Sequence, residues 1–159
     1  MSLLARIFCV LGMALLALPV SAQDVRPGYG PSVTTAAAKK IAAGVVAECA
    51  ANKWNVAVAV VDTHGLLIYF ERMEDTQTVS SQIAIDKAKA AATYRRPTRA
   101  FVDAIAKAGP AVMTLPGVVA SPGGVPLMVD GKVTGAVGVS GVTGDQDEQC
   151  AKAGLEAAK

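Results

Sequence analysis

The chain of 159 residues predicts an α+β fold in layered form, with an antiparallel sheet and helices packed on its faces. Three observations predict it. Two stretches read as strand, tight turn and strand; several segments carry apolar residues at helical spacing; and the order is helix, hairpin, helix, loop, hairpin, helix. Hairpins make antiparallel sheet, and amphipathic helices bury their apolar stripes by covering its faces.

Taken in order, the stretch over 23–33 holds Pro27, Gly28, Gly30 and Pro31 and reads as an extended leader. Ser32 or Thr34 then caps a helix to about Asn52, in which Ala38, Ile41, Val45 and Cys49 form one stripe and Lys39, Lys40 and Glu48 fall off it. The β-branched run Asn55–Asp62 ends in Asp62-Thr-His-Gly65, a tight turn, and Leu66–Arg72 returns as its hairpin partner. A second helix runs from Thr78 to about Thr93, with Ile83, Ala84, Ala88 and Ala91 on one face and Asp86 and Lys89 turned away. Pro97 forces Arg96 out of helical geometry and closes it. Thr98 caps a short helix from Arg99 to about Lys107, and the Pro- and Gly-rich stretch Gly109–Pro126 reads as a long loop.

The second hairpin is Val125–Val129, the turn Asp130-Gly131, and Lys132–Ser140. Gly135 and Gly138 inside its last strand predict a bulge or the close approach of another backbone. Asp145, with Glu148 three residues on, predicts a capping box at the start of a last helix to about Ala158.

The N-terminus carries a separate message. Arg6, the uncharged apolar run Ile7–Val20 and the small residues Ser21 and Ala22 follow the order of a secretory signal peptide, cleaved after Ala22. The run is shorter than the roughly 20 residues that cross a bilayer. The expectation is therefore a periplasmic or secreted protein with no membrane attachment after cleavage. What remains, 34–159 after the leader, is one domain with one core. Removing Arg6 leaves the charge near neutral, which argues against nucleic acid as a partner. Cys49 and Cys150 survive cleavage; an even pair in an oxidising compartment invites a disulfide, and two buried thiols are the alternative.

Several chemistries are absent from the pattern. There is no phosphate-binding glycine loop, no nucleophile elbow, no Cys-x-x-Cys, and a single histidine, so no metal site is expected. The remaining candidates are polar residues near element ends. Lys87 lies beside the apolar face of the second helix, either aimed into a pocket or solvated. Arg95 and Arg96 suit a helix C-terminus, and they also suit bidentate pairing with carboxylates. The Gly123-Gly124 turn offers backbone N–H groups to a ligand. His64 offers an imidazole beside a turn.

Val60-Val-Asp-x-x-Gly65, Glu71-Arg-Met73, Ile83-Ala-x-x-Lys-Ala88, Arg95-Arg-Pro-Thr98, Ser121-Pro-Gly-Gly-Val-Pro126, Asp130-Gly131, Gly135-Ala-Val-Gly-Val-Ser-Gly141 and Asp147-Glu-x-Cys-Ala151 occur in this order. Together they resemble the GlcG/HbpS family of haem-binding, haem-degrading (DUF336) domains, also found at the C-terminus of PduO proteins. The resemblance implies a profilin-like α/β/α layering and a homo-oligomer, either a dimer or an octamer. It also implies haem as cofactor, with Thr98 in Arg-Arg-Pro-Thr or the single His64 near the iron and Arg95 or Arg96 on a propionate. The segment Arg72-Met-Glu-Asp-Thr76 departs from the Arg-Met-Asp-Gly-Ala of many members. The expected function is an exported haem-binding protein in haem sensing or handling. The alternative is an organic-acid-binding protein or catabolic accessory enzyme that uses Lys87, Arg72, Gly123 and Gly124.

Overall fold

A computed structural model describes residues 25–159; the expected export signal over 1–22 lies outside the described residues. The elements are α1 (Thr35–Ala51), β1 (Ala57–Val61), β2 (Leu67–Arg72), α2 (Ser80–Tyr94), α3 (Arg99–Ala108), a 3-10 turn (Pro110–Thr114), β3 (Gly124–Val129), β4 (Lys132–Ser140) and α4 (Gly144–Ala157). Both hairpins form, and they join through antiparallel pairing of β1 with β4, giving the order β2-β1-β4-β3. With α1 and α4 on one face and α2 on the other, the fold is the expected α/β/α layering.

The two faces differ in bulk because strand side chains alternate. On one face Val56, Val58, Val60, Val137 and Val139 meet Ile41 and Val45 of α1 and Ala151 of α4. The same core holds a disulfide between Cys49 and Cys150, both fully buried, with Cα atoms 5.8 Å apart. On the other face Ala57, Ala59 and Ala136 meet Ala84, Ala88 and Ala91 of α2. Such small side chains let α2 lie almost directly on the sheet. A Cβ at Gly138 would sit 2.0 Å from the Ala84 carbonyl oxygen and 2.5 Å from the Ala88 nitrogen. No side chain can rotate away from a backbone contact. Gly138→Ala is therefore expected to cost about 3 kcal/mol or more, at the upper end for overpacking, measured by urea unfolding.

Gly135 fulfils both readings of a glycine within a strand. The β3–β4 register shifts beside it, between Leu127 and Met128, and its Cβ would lie 2.3 Å from the Val61 carbonyl oxygen. The leader is more ordered than an extended tail. Val133 donates its N–H to the Gly28 carbonyl, Gly30 donates to Val133, and Val33 donates to Thr134, so the segment lies against the start of β4.

Three expectations are corrected. The last helix is capped by Thr143, not Asp145: Thr143 is extended, its hydroxyl accepts from Gln146 N, and the Gln146 side chain accepts from Thr143 N. Thr98 does not cap α3, because its backbone is already helical and its hydroxyl is used elsewhere. The long loop is partly structured, with the 3-10 turn inside it, while Pro126 lies in β3 as the second hairpin required. β3 is an edge strand, where a residue without an N–H is tolerated.

Candidate functional site

The predicted site residues around α2 fall at its middle, Lys87, and just past its C-terminus, Arg95, Arg96 and Thr98. At its C-terminus Arg95 takes the left-handed conformation, φ 54°, and its N–H closes the helix on the Ala91 and Ala92 carbonyls. Glycine is the usual residue there. The Arg95 side chain donates to the Pro27 carbonyl at 3.0 Å and lies over the Tyr29 ring, 5.3 Å from its centroid. Arg96 follows with its guanidinium over Phe101, which packs edge-on against Tyr94. The Arg96 Nε is buried without a hydrogen-bond partner, and neither arginine meets a carboxylate among the described residues.

Thr98 is fully buried. Its hydroxyl donates to the Ser121 carbonyl at 2.6 Å and accepts from Gly124 N at 3.0 Å, while its own N–H donates to the Gly124 carbonyl. Thr98 thus clamps the 121–124 loop to the end of α2. The same bonds occupy the Gly124 N–H that the sequence offered to a ligand.

Lys87 is neither solvated nor aimed into an open pocket. Its ammonium lies 2.7 Å from an Asp147 carboxylate oxygen and donates to the Val139 carbonyl at 3.1 Å, with both side chains almost wholly buried. The lysine leaves α2, passes the sheet end and reaches α4. Gly123 clears its path: a Cβ there would be 2.7 Å from the Val139 oxygen and 3.1 Å from the Lys87 ammonium. Burial pushes the Asp147 carboxyl above its ordinary range, against the opposing pull of Lys87 and of the Val142 and Gly141 N–H groups.

Beside this pair Arg99 joins α3 to α4 by donating to Asp145 and Glu148, and Lys152 pairs with Glu148 at 2.7 Å. Burial raises the Glu148 carboxyl, but the Lys152 and Arg99 partners outweigh it and hold the group below its ordinary range. Asp147, Arg99 and Glu148 were not singled out as site residues in the sequence. The Asp147-Glu-x-Cys motif and the expected Asp145–Glu148 capping box pointed to that helix, but not to an ion-pair cluster.

His64 and Arg72 stand apart from this cluster. The His64 side chain is 82% exposed on the β1–β2 turn, 3.9 Å from an Asp62 carboxylate oxygen. That turn is fixed by Asp62, which accepts from His64 N and Leu66 N at 2.8 Å each. Arg72 is exposed at the end of β2. Two cavities stand out among the described residues. One of about 370 Å³ lies between α1, β3 and α4, lined by Ile41, Leu127, Met128 and Leu155, and one of about 280 Å³ lies between α2 and residues 117–119. None of Arg95, Arg96, Thr98 or His64 lines either cavity. Among the described residues no group of three or more His, Cys, Asp or Glu is placed to hold a metal ion.

Comparison with known proteins matches this arrangement to one family. The family model described as haem degrading protein HbpS-like matches residues 33–156. Protein GlcG of Escherichia coli is 39% identical over 93 residues, 58% of this chain and 69% of its own length. Among solved structures, a double mutant of HbpS from Streptomyces reticuli superposes with a TM-score of 0.75 at 32% identity, covering 88% of this chain and 96% of that one. A PduOC–haem complex superposes with a TM-score of 0.73 at 26% identity, covering 79% of this chain and 94% of that one. The chain belongs to the HbpS-like family of haem-degrading proteins.

Proposed function

We propose that this chain is an exported haem-binding protein, serving haem handling or sensing, and that Arg95 and Arg96 hold the porphyrin carboxylates. The observation that carries this reading is the arginine pair itself. The guanidiniums of two consecutive residues, each backed by an aromatic ring and neither matched to a carboxylate among the described residues, stand in a chain of a haem-named family. Arginine presents a planar fork that matches a carboxylate with two hydrogen bonds. The donor set therefore fits the two propionates of haem.

Because the two cavities lie away from the pair, the reading places the porphyrin in a crevice completed by a second copy of the chain. Haem would supply iron-centred chemistry when bound; the chain supplies the anion seat and the shape of the wall. Thr98 holds the 121–124 loop beside the seat, and it reaches iron only if its bond to Ser121 is given up. His64 is the accessible imidazole. The buried Cys49–Cys150 disulfide supports the export reading, since such bonds persist in oxidising compartments.

The alternative ligand is a small organic acid bound by the same arginines or by Arg72. Its expected contacts at Lys87 and Gly124 are already satisfied within the chain. Thermal unfolding separates the two ligands. A ligand present at about 100 times its Kd stabilises by about 2.7 kcal/mol, a rise of roughly 10 °C for a domain of this size. The reading expects that rise with haemin and none with succinate; the opposite result replaces haem with the organic acid.

A further inference from the structure

We propose that the leader is part of the binding site, with Tyr29 as the positioning residue that aims Arg95 at an anionic ligand. The inference rests on the reading of Arg95 as a ligand contact and adds what makes it one. A left-handed backbone is disfavoured in a non-glycine residue, so an arginine at this helix end calls for a compensating use of its side chain. The structure supplies two contacts, the hydrogen bond to the Pro27 carbonyl and the stack on the Tyr29 ring.

Tyr29 is itself fixed from two directions. Its hydroxyl donates to the Ala92 and Thr93 carbonyls at 3.2 and 3.1 Å, closing the end of α2, and its neighbours Gly28 and Gly30 bond to Val133 of β4. The ring is therefore anchored at its hydroxyl and through its neighbouring backbone, and 46% of the residue remains exposed. A guanidinium carries five N–H donors, and the structure pairs one of the Arg95 donors, with Pro27. Held on one face and at one nitrogen, Arg95 keeps its remaining donors for a ligand, next to Arg96.

The test uses the purified protein, iron-free protoporphyrin IX as the dicarboxylate probe and its dimethyl ester as control. Tyr29→Leu is expected to weaken protoporphyrin IX binding about fivefold, as loss of a cation–π contact of about 1 kcal/mol implies. Tyr29→Phe keeps the ring and should bind within about twofold of the wild type. Tyr29→Leu combined with Arg95→Ala should be no weaker than Arg95→Ala alone, because the ring acts through the arginine. The dimethyl ester should not respond to either substitution. Unchanged or tighter binding by Tyr29→Leu, or additive losses in the double variant, overturns the inference. If the wild type binds no porphyrin, the haem reading fails, and the Arg95 Nε–H resonance decides the rest. That resonance should move on adding succinate in the wild type and in Tyr29→Phe but not in Tyr29→Leu; a wild-type resonance that succinate leaves unmoved overturns the positioning role as well.

Discussion

Replacing Lys87 by alanine is expected to cost about 3–5 kcal/mol of folding stability, the range for removing one partner of a buried ion pair. The cost is high because Asp147 stays behind, buried and without its ammonium. Replacing both partners, Lys87→Met with Asp147→Leu, should cost much less, since neither charge is then left unpaired. Equal losses in the single and double variants would show that the lysine matters for packing alone. The pH dependence has a definite sign. Burial already raises the Asp147 carboxyl, and Lys87 is a principal opposing influence. Without it the folded-state pKa rises further above the unfolded value, so the native state binds the proton more tightly than the unfolded state does. Stability then falls as pH rises through the folded value. The Lys87→Ala deficit should accordingly be smaller at mildly acidic pH than at pH 8 in urea titrations, and a deficit that grows on acidification contradicts the assignment.

Reducing the Cys49–Cys150 disulfide is expected to cost about 3–4 kcal/mol, or roughly 10 °C in Tm. The bond joins residues 101 positions apart and ties α1 to α4 inside the valine-rich core. In the chain-entropy account, a cross-link closing a loop of that length removes much of the freedom of the unfolded chain. Cys49→Ala with Cys150→Ala should reproduce the effect of reductant and should no longer respond to it. Because both sulfurs are fully buried, reductant should act on the native protein only slowly, as the core opens. A double variant as stable as the oxidised protein would remove the disulfide from the account of stability.

Where structure follows from near neighbours, the sequence was a good guide. The β-branched run Asn55–Asp62 and the alternation in Leu67–Phe70 around Asp62-Thr-His-Gly65 gave the first hairpin, and Asp130-Gly131 gave the second. Gly138 announced the close approach that places α2 on the sheet, and Gly135 the close approach of the Val61 carbonyl. Where a partner lies far along the chain, local pattern misled. Lys87 at the margin of an alanine face reads equally as solvated or buried, and its partner Asp147 lies 60 residues away. Thr98 before a helix reads as a cap, yet its bonds to Ser121 and Gly124 outcompete that role. Asp145-x-x-Glu148 fits a capping box as well as Thr143-x-x-Gln146 does; the extended backbone at Thr143 and the pairing of Asp145 with Arg99 decide between them. The leader has no periodicity at all. Its order comes from β4 and the end of α2, which no pattern within 25–33 encodes.

The measurement that bears most directly on the central claim is a haemin titration of the protein beside the variant Arg95→Ala with Arg96→Ala, followed at the Soret band. Both side chains are half-buried and neither meets a carboxylate among the described residues, so the variant strands no partner charge and should remain folded by circular dichroism. The account predicts a saturable Soret shift at micromolar wild-type protein and a binding curve displaced about a hundredfold or more to higher haemin in the variant, the loss of two charge-assisted contacts at about 1.5 kcal/mol each or more. No Soret shift in the wild type, or superimposable curves for the two proteins, would contradict it.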